Sequence, residues 1–213
     1  MKKWNQAAVA ILVIVAASGH VNSIECSNGT LTVLTVGNND NFAAPLEPVF
    51  PDANLARLIA TVWKVPLRYL DDMSLDKSMG HTFQWPAISI SAAELEIRVR
   101  SMGQVSSNDR LSLEFNDGYF EGESEAFKWS STLVILSHTS WSYGEEATFI
   151  FDLANLPVDL YGRTSVLAHM MDGNLDVEVQ DDTAVDYIIL RLCACPVAAE
   201  NATWGSIKAL YRD

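Results

Sequence analysis

The segment AELEIRVR, residues 93–100, alternates strictly between apolar and charged side chains. Successive side chains of a β-strand point to opposite faces of a sheet, so the segment predicts a strand with one buried and one solvated face. The segments RLSLEF at 110–115 and LDVEVQ at 175–180 repeat this pattern, and TFIFDL at 148–153 does so less cleanly. Residues 185–192 are apolar on both faces apart from Asp186 and Arg191, which is typical of a central strand.

Turn-forming residues separate these segments, as in NNDN at 38–41 and DGN at 172–174. Between the predicted strands, helical spacing of apolar residues occurs only at residues 52–62 and 164–171, so helices and strands do not alternate as an α/β fold requires. We therefore predict an all-β fold, an antiparallel β-sandwich of the jelly-roll kind with one or two short helices. Further candidate strands are residues 31–36, 81–85 and 127–136.

The N-terminus has the layout of a secretory signal peptide. Lys2 and Lys3 precede an apolar run over residues 7–17, and the first acidic residue is Glu25. The run is well short of the ~20 apolar residues that a membrane-spanning helix needs. We therefore expect residues 1–23 to be a cleaved signal peptide.

This layout predicts the domain organisation and the location of the protein. We expect a β-sandwich domain over residues 24–195, followed at 196–213 by a linker and a short amphipathic tail. No later segment is long and apolar enough to span a bilayer, so we expect a secreted or cell-surface protein and not an integral membrane protein. The two-lysine start and the tail favour a bacterial envelope protein. The tail is either a weakly packed end or a docking peptide for a partner.

Composition narrows the classes of ligand. The chain has 213 residues, and 49% of them are hydrophobic, which is enough for a core and excludes general disorder. There are 27 acidic against 14 basic residues, a net charge of −13. Such a surface repels phosphate backbones, so nucleic acid is not an expected partner. Glycans, another surface protein and cations remain the expected partners.

Three cysteines, Cys26, Cys193 and Cys195, follow the signal segment. Export makes a disulfide favourable, and one pairing leaves one thiol over. We predict a bridge from Cys26 to Cys193, with Cys195 as the open alternative, which ties together the two ends of the domain.

The sequence contains no glycine-rich phosphate loop, no HExxH and no GxSxG, and no catalytic residue is assigned. The best acid pair is Glu94 and Glu96, which lie on one face of the predicted strand at about 6.5–7 Å from each other. Sandwich glycosidases use a pair of carboxylates in this way. Arg98 and Arg100 continue the same face, so the other interpretation is a charge-paired solvent surface.

The segment QDDTAVD at 180–186 is a candidate calcium site. Asp181 and Asp182 lie in a predicted turn and Asp186 follows on the next strand. Calcium binds several carboxylate and carbonyl oxygens, so this segment could supply a structural calcium with its ligands. The alternative is that these residues cap the turn through their own backbone.

Aromatic side chains are the candidate ligand-binding residues. Trp129, Trp141 and Tyr143 lie close together in the sequence. Sugar rings stack on exposed aromatic faces while neighbouring polar groups bind their hydroxyls. These three residues are therefore the predicted glycan contacts, although tryptophan in a sandwich also commonly fills the core.

The segment LDVEVQDDTAVD at 175–186, together with FDL at 151–153 and Leu156-Pro157, resembles secreted bacterial β-sandwich domains. It is similar, more loosely, to galactose-binding-like and carbohydrate-binding jelly rolls, over about residues 80–192. The resemblance implies an extracellular binding or structural module, sometimes with a structural calcium. We therefore expect a non-catalytic module with glycan recognition as its specific candidate activity. The alternatives are a glycan-active hydrolase or lyase using Glu94 and Glu96, and an assembly subunit docked through its tail.

Overall fold

The structure is a computed structural model in which the following residues are described: 24, 26, 29–43, 53–68, 77–86, 89–103, 109–137 and 141–195. The predicted signal peptide and the predicted C-terminal tail both lie outside these residues. None of the described helices combines the length and the apolar character needed to cross a bilayer.

Strands dominate the described part of the chain. The strands are β1 Thr30–Gly37, β2 Leu67–Arg68, β3 Lys77–Gln84, β4 Ser89–Ser101, β5 Arg110–Phe115, β6 Phe127–Thr132, β7 Glu146–Asp152, β8 Asn174–Asp181 and β9 Thr183–Cys195. The helices are α1 Ala53–Val62, α2 Leu133–Ser137 and the two 3₁₀ helices Asp117–Glu121 and Leu167–Asp172.

The strands form two sheets with the orders β1-β9-β4-β7 and β2-β3-β8-β5-β6. The antiparallel pairs are nested along the chain: β5 pairs with β6, and the strands before β5 pair with strands after β6 in reverse order. These pairs are β4 with β7, β3 with β8 and β1 with β9. The ladders β4–β9 and β5–β8 complete the sheets, and the short β2 adds a parallel edge. This is the rolled-up hairpin of a jelly roll, so the predicted fold is confirmed.

The core lies between the two sheets, as the alternating pattern requires. The apolar residues of the alternating segment 93–100 of β4 are each at most 1% exposed: Ala93, Leu95, Ile97 and Val99. They pack in one cluster with the apolar positions of β5 and β8, which belong to the other sheet. β9 lies between β1 and β4, so the prediction of a central strand at residues 185–192 is confirmed.

Two predicted elements are corrected. The predicted strand at 127–136 ends at Thr132 and continues as α2, because Leu133 and Leu136 both turn into the core at helical spacing. A short apolar run does not distinguish strand from helix. The predicted helix at 164–171 is a 3₁₀ helix that begins at Leu167 and ends at the left-handed Gly173.

Helix α1 covers the outer side of the five-stranded sheet. Its residues Leu55, Leu58 and Ile59 are buried and pack with Phe127. At Gly80 of β3, an added Cβ would lie 3.2 Å from a Leu55 methyl group, so the helix approaches the sheet closely there. The outer face of the five-stranded sheet is therefore partly covered, and its polar positions range from the buried Ser78 and Glu178 to the exposed Gln84.

A disulfide joins Cys26 to Cys193, with their Cα atoms 5.4 Å apart. It links the segment before β1 to the central strand β9. The predicted pairing of Cys26 with Cys193 is confirmed.

Candidate functional site

A cavity of about 320 Å³ lies on the outer side of the five-stranded sheet, between the sheet, α1 and the 3₁₀ helix Asp117–Glu121. Two cross-strand pairs of β3 and β8 contribute to it, Thr82 with Asp176 and Gln84 with Asn174. These positions alternate with core residues along both strands, which directs them away from the core. The remaining lining residues are Asn54, Arg57, Phe115, Asp117 and Phe120.

Side chains that line the cavity contact one another. The Thr82 hydroxyl donates a hydrogen bond to the Asp176 carboxylate, which orients that carboxylate. The Arg57 guanidinium lies over the Phe120 ring, 4.7 Å from its centroid. Phe120 is nevertheless 44% exposed, so part of the ring is available to a ligand.

Glu114 is a buried acid beside the cavity. Its φ is +59°, and the β5–β6 register passes from the Leu113–Trp129 pair to the Phe115–Phe127 pair without it. Burial, together with the negative charges of Asp176, Asp172 and Asp117, raises the pKa of Glu114 to about 9, against the opposing effect of a hydrogen bond from the Asp176 backbone. Glu114 therefore holds its proton at neutral pH.

A second buried acid, Glu178, lies two residues after Asp176 on β8 and is completely buried. Burial raises the pKa of Glu178 to about 7, while the neighbouring hydroxyls of Ser78 and Ser112 and the charge of Arg110 lower it. Neither carboxylate oxygen has a hydrogen bond of good geometry with a described residue. Glu178 is therefore sensitive to pH without being accessible to a ligand.

The acid pair predicted as catalytic, Glu94 and Glu96, lies on the opposite, four-stranded sheet. Arg191 donates to Glu94 at 2.9 Å and to Glu96 at 2.8 Å, and the Tyr187 hydroxyl donates to Glu96 at 2.9 Å. One guanidinium thus holds both carboxylates. The two acids are charge-paired, as the alternative to catalysis expected, but through Arg191 of β9 and not through Arg98 or Arg100, and Glu94 is buried. Neither acid lines the cavity.

The predicted calcium ligands are not brought together. Asp186 is fully buried, and its carboxylate accepts from Arg98 at 2.8 Å and from the Phe42 backbone at 2.6 Å. Asp181 is the last residue of β8, and Asp182 is the single residue between β8 and β9. Within the described part of the chain, no three His, Cys, Asp or Glu residues are arranged to hold a metal ion. The predicted calcium role of Asp186 is therefore corrected to that of a buried ion-pair partner.

Two of the three predicted glycan contacts are core residues. Trp129 and Trp141 are 0% exposed, and their indole N–H groups donate to the Pro157 carbonyl at 2.8 Å and the Thr183 hydroxyl at 3.4 Å. Neither ring is available for stacking on a ligand, and this prediction is corrected. Tyr143 is 72% exposed and lies away from the residues that line the cavity.

Sequence reasoning missed the residues that do line the cavity. The alternation in 175–180 placed Asp176 on a polar face, but only the register of β8 with β3 sets it beside Thr82. Phe120 lies in a 3₁₀ helix within a segment that the sequence analysis left between strands. No local sequence pattern predicts that these segments lie next to α1 in the folded protein.

Comparisons of the chain with protein-family models, with curated proteins and with solved structures found no match. The resemblance to carbohydrate-binding jelly rolls therefore remains a prediction. The chemistry of the cavity is the basis for a functional proposal.

Proposed function

We propose that the protein is a secreted or cell-surface jelly-roll module that binds a hydroxyl-rich neutral ligand, a sugar, in the cavity between α1 and the five-stranded sheet. The observation that carries this proposal is the lining itself, in which amide, carboxylate, hydroxyl and guanidinium groups surround two phenylalanine rings. A sugar hydroxyl both donates and accepts, and such a mixed set of donors and acceptors satisfies both roles.

The size and the aromatic surface of the cavity support the same ligand class. Its volume of about 320 Å³ lies at the lower end of the range for small-molecule sites, roughly 300–1,000 Å³. The exposed part of Phe120 offers an apolar face to the C–H groups of a sugar ring. Asp117 and Asp176 make a neutral ligand more favourable than an anionic one.

The test is isothermal titration calorimetry, in which each of a panel of neutral monosaccharides is titrated into the full chain. We expect one or more sugars to bind, and we expect Asp176→Asn and Phe120→Ala each to weaken binding by about tenfold. The matched control is Glu146→Gln, which lies on the other sheet. Absence of binding by every sugar, or equal binding by all variants, would refute the proposal.

A second candidate function, glycoside hydrolysis, is favoured by one observation. Glu114 holds a proton at neutral pH beside Asp176, whose carboxylate lines the cavity. A protonated acid next to a second carboxylate is the pairing that glycosidases use. Incubation with a glycan panel distinguishes the two functions: binding without product supports the module, whereas product release that Glu114→Gln abolishes supports the hydrolase.

A further inference from the structure

A second cavity, of about 190 Å³, lies at the C-terminal end of α1. Its walls are largely aromatic, with the rings of Trp63, Tyr119, Phe127 and Tyr161. The two cavities share α1 and the 3₁₀ helix Asp117–Glu121 as neighbouring elements, but no residue lines both. The second cavity is therefore a separate site with its own chemistry.

Two of the hydrogen-bond donors in this cavity have no acceptor among the described residues. The indole N–H of Trp63 is buried and has no hydrogen-bond partner among the residues that the structure describes. Arg110 attracts the buried Glu178 electrostatically, but its guanidinium forms no salt bridge with a described residue. Buried donors are nearly always paired in folded proteins, so the Trp63 N–H indicates a ligand that supplies an acceptor, and the half-buried Arg110 adds a positive charge to the same cavity.

The other arginine of the cavity is already neutralised. Arg163 donates to the Asp159 carboxylate at 2.7 Å and to the Phe127 carbonyl at 2.7 Å, and its guanidinium lies 4.7 Å from the centroid of the Tyr161 ring. These contacts hold Arg163 and the adjoining aromatic wall in place. Arg110 is left as the cation of the cavity that no described carboxylate pairs with.

We propose that this second cavity binds a small planar ring that bears one carboxylate. A guanidinium binds a carboxylate through two parallel N–H···O bonds, and Arg110 supplies that fork. The Trp63 N–H supplies a further donor, and the aromatic walls accept the ring in offset or edge-to-face contact. Glu125 also lines the cavity, and its negative charge disfavours a doubly charged ligand such as phosphate.

The test uses benzoate as the ligand and neutral benzamide as its uncharged counterpart, each titrated calorimetrically into the full chain. We expect benzoate to bind more tightly than benzamide. Arg110→Gln should weaken benzoate binding by about 10–100-fold, because hydrogen bonds to a charged partner are lost, and should leave benzamide binding within about twofold. Trp63→Phe, which keeps an aromatic wall and removes the N–H, should weaken benzoate binding by a smaller factor.

Arg57→Gln, which changes the first cavity only, is the matched control and should leave benzoate affinity unchanged. Thermal melts of each variant verify that the fold is intact. Failure of benzoate to bind the wild-type chain, or equal benzoate affinity in the wild type and Arg110→Gln, would overturn the proposal. Either result is distinguishable from failure of the sugar site, because the monosaccharide titrations depend on Asp176 and Phe120 and not on Arg110.

Discussion

Arg98 donates to the carboxylate of Asp186 at 2.8 Å, and Asp186 is fully buried whereas the Arg98 side chain is 22% exposed. The same guanidinium lies over the Phe42 ring, with the Arg98 Cζ atom 5.1 Å from the ring centroid. The outer face of the four-stranded sheet is thus organised around an ion pair that is partly removed from solvent. Such a pair is sensitive to the loss of one partner.

We predict that Asp186→Asn destabilises the protein by about 2–4 kcal/mol, because asparagine keeps an acceptor for the Phe42 backbone but leaves Arg98 without its buried counter-charge. The matched control is Glu146→Gln, which breaks the more exposed pair of Glu146 with Arg98 and should change stability by less than about 1 kcal/mol. Urea denaturation measures both values. Equal effects of the two substitutions on the free energy of unfolding would contradict the larger contribution that we assign to the Arg98–Asp186 pair.

The same pairing leads to a prediction about calcium. Because the Asp186 carboxylate is occupied by Arg98 and the Phe42 backbone, we expect neither EDTA nor added Ca²⁺ to change the melting temperature. Differential scanning calorimetry measures this directly. A rise in melting temperature that depends on Ca²⁺ concentration would restore the predicted calcium site.

Glu178 makes the stability of the protein depend on pH. Its pKa is raised by burial to about 7 in the folded protein, against an ordinary value near 4.3. The contribution of Glu178 to the free energy of unfolding is fully present below the pKa that this residue has in the unfolded chain. It is lost as the pH rises towards the pKa of the folded state. We therefore predict that the free energy of unfolding of Glu178→Gln rises by about 2–3 kcal/mol relative to that of the wild type when the pH is raised from 5 to 8.

The measurement for Glu178 is a pair of urea denaturation curves at each pH, since both proteins share every other titrating group. The difference between them isolates the Glu178 carboxyl. A difference that is the same at pH 5 and pH 8 would show that this carboxyl does not change its charge in that range.

The disulfide gives a further prediction. Cys26 and Cys193 are 167 residues apart in sequence, so their bridge restricts the unfolded chain over almost the whole domain. We expect Cys26→Ser to lower the free energy of unfolding by roughly 2–5 kcal/mol. Cys195→Ser should leave the bridge intact, as mapping of non-reduced peptides would demonstrate. Recovery of a Cys26–Cys195 peptide from the wild-type protein would contradict the pairing.

Sequence periodicity was sufficient for the fold because each strand has one face in the main core. Leu95 and Ile97 are buried as their alternation requires. The same reasoning was wrong for the other sheet, where Ser112 and Glu178 were expected in solvent and are at most 1% exposed. α1 covers part of the outer side of this sheet, next to β3, and the position of a helix that is distant in sequence is not encoded in strand alternation.

The candidate site was less predictable for the same physical reason. Thr82 and Asp176 are 94 residues apart and meet only through the register of two strands. Local composition also does not distinguish an indole that fills the core from one that faces a ligand, which is why Trp129 was assigned to a binding surface. The sign of the overall charge does not reveal where individual arginines lie, and Arg110 is found among aromatic rings.

The order of strands has a kinetic consequence. β9, the last described strand, forms the middle of its sheet and bonds to β1 on one side and β4 on the other. Both ladders use residues 183–195, so the pairing of β1 and of β4 with β9 has to wait until the last described strand has been synthesised. Such dominance of long-range pairing slows folding. A nascent chain that lacks this strand would present two unpaired edges and would depend on a chaperone to avoid self-association.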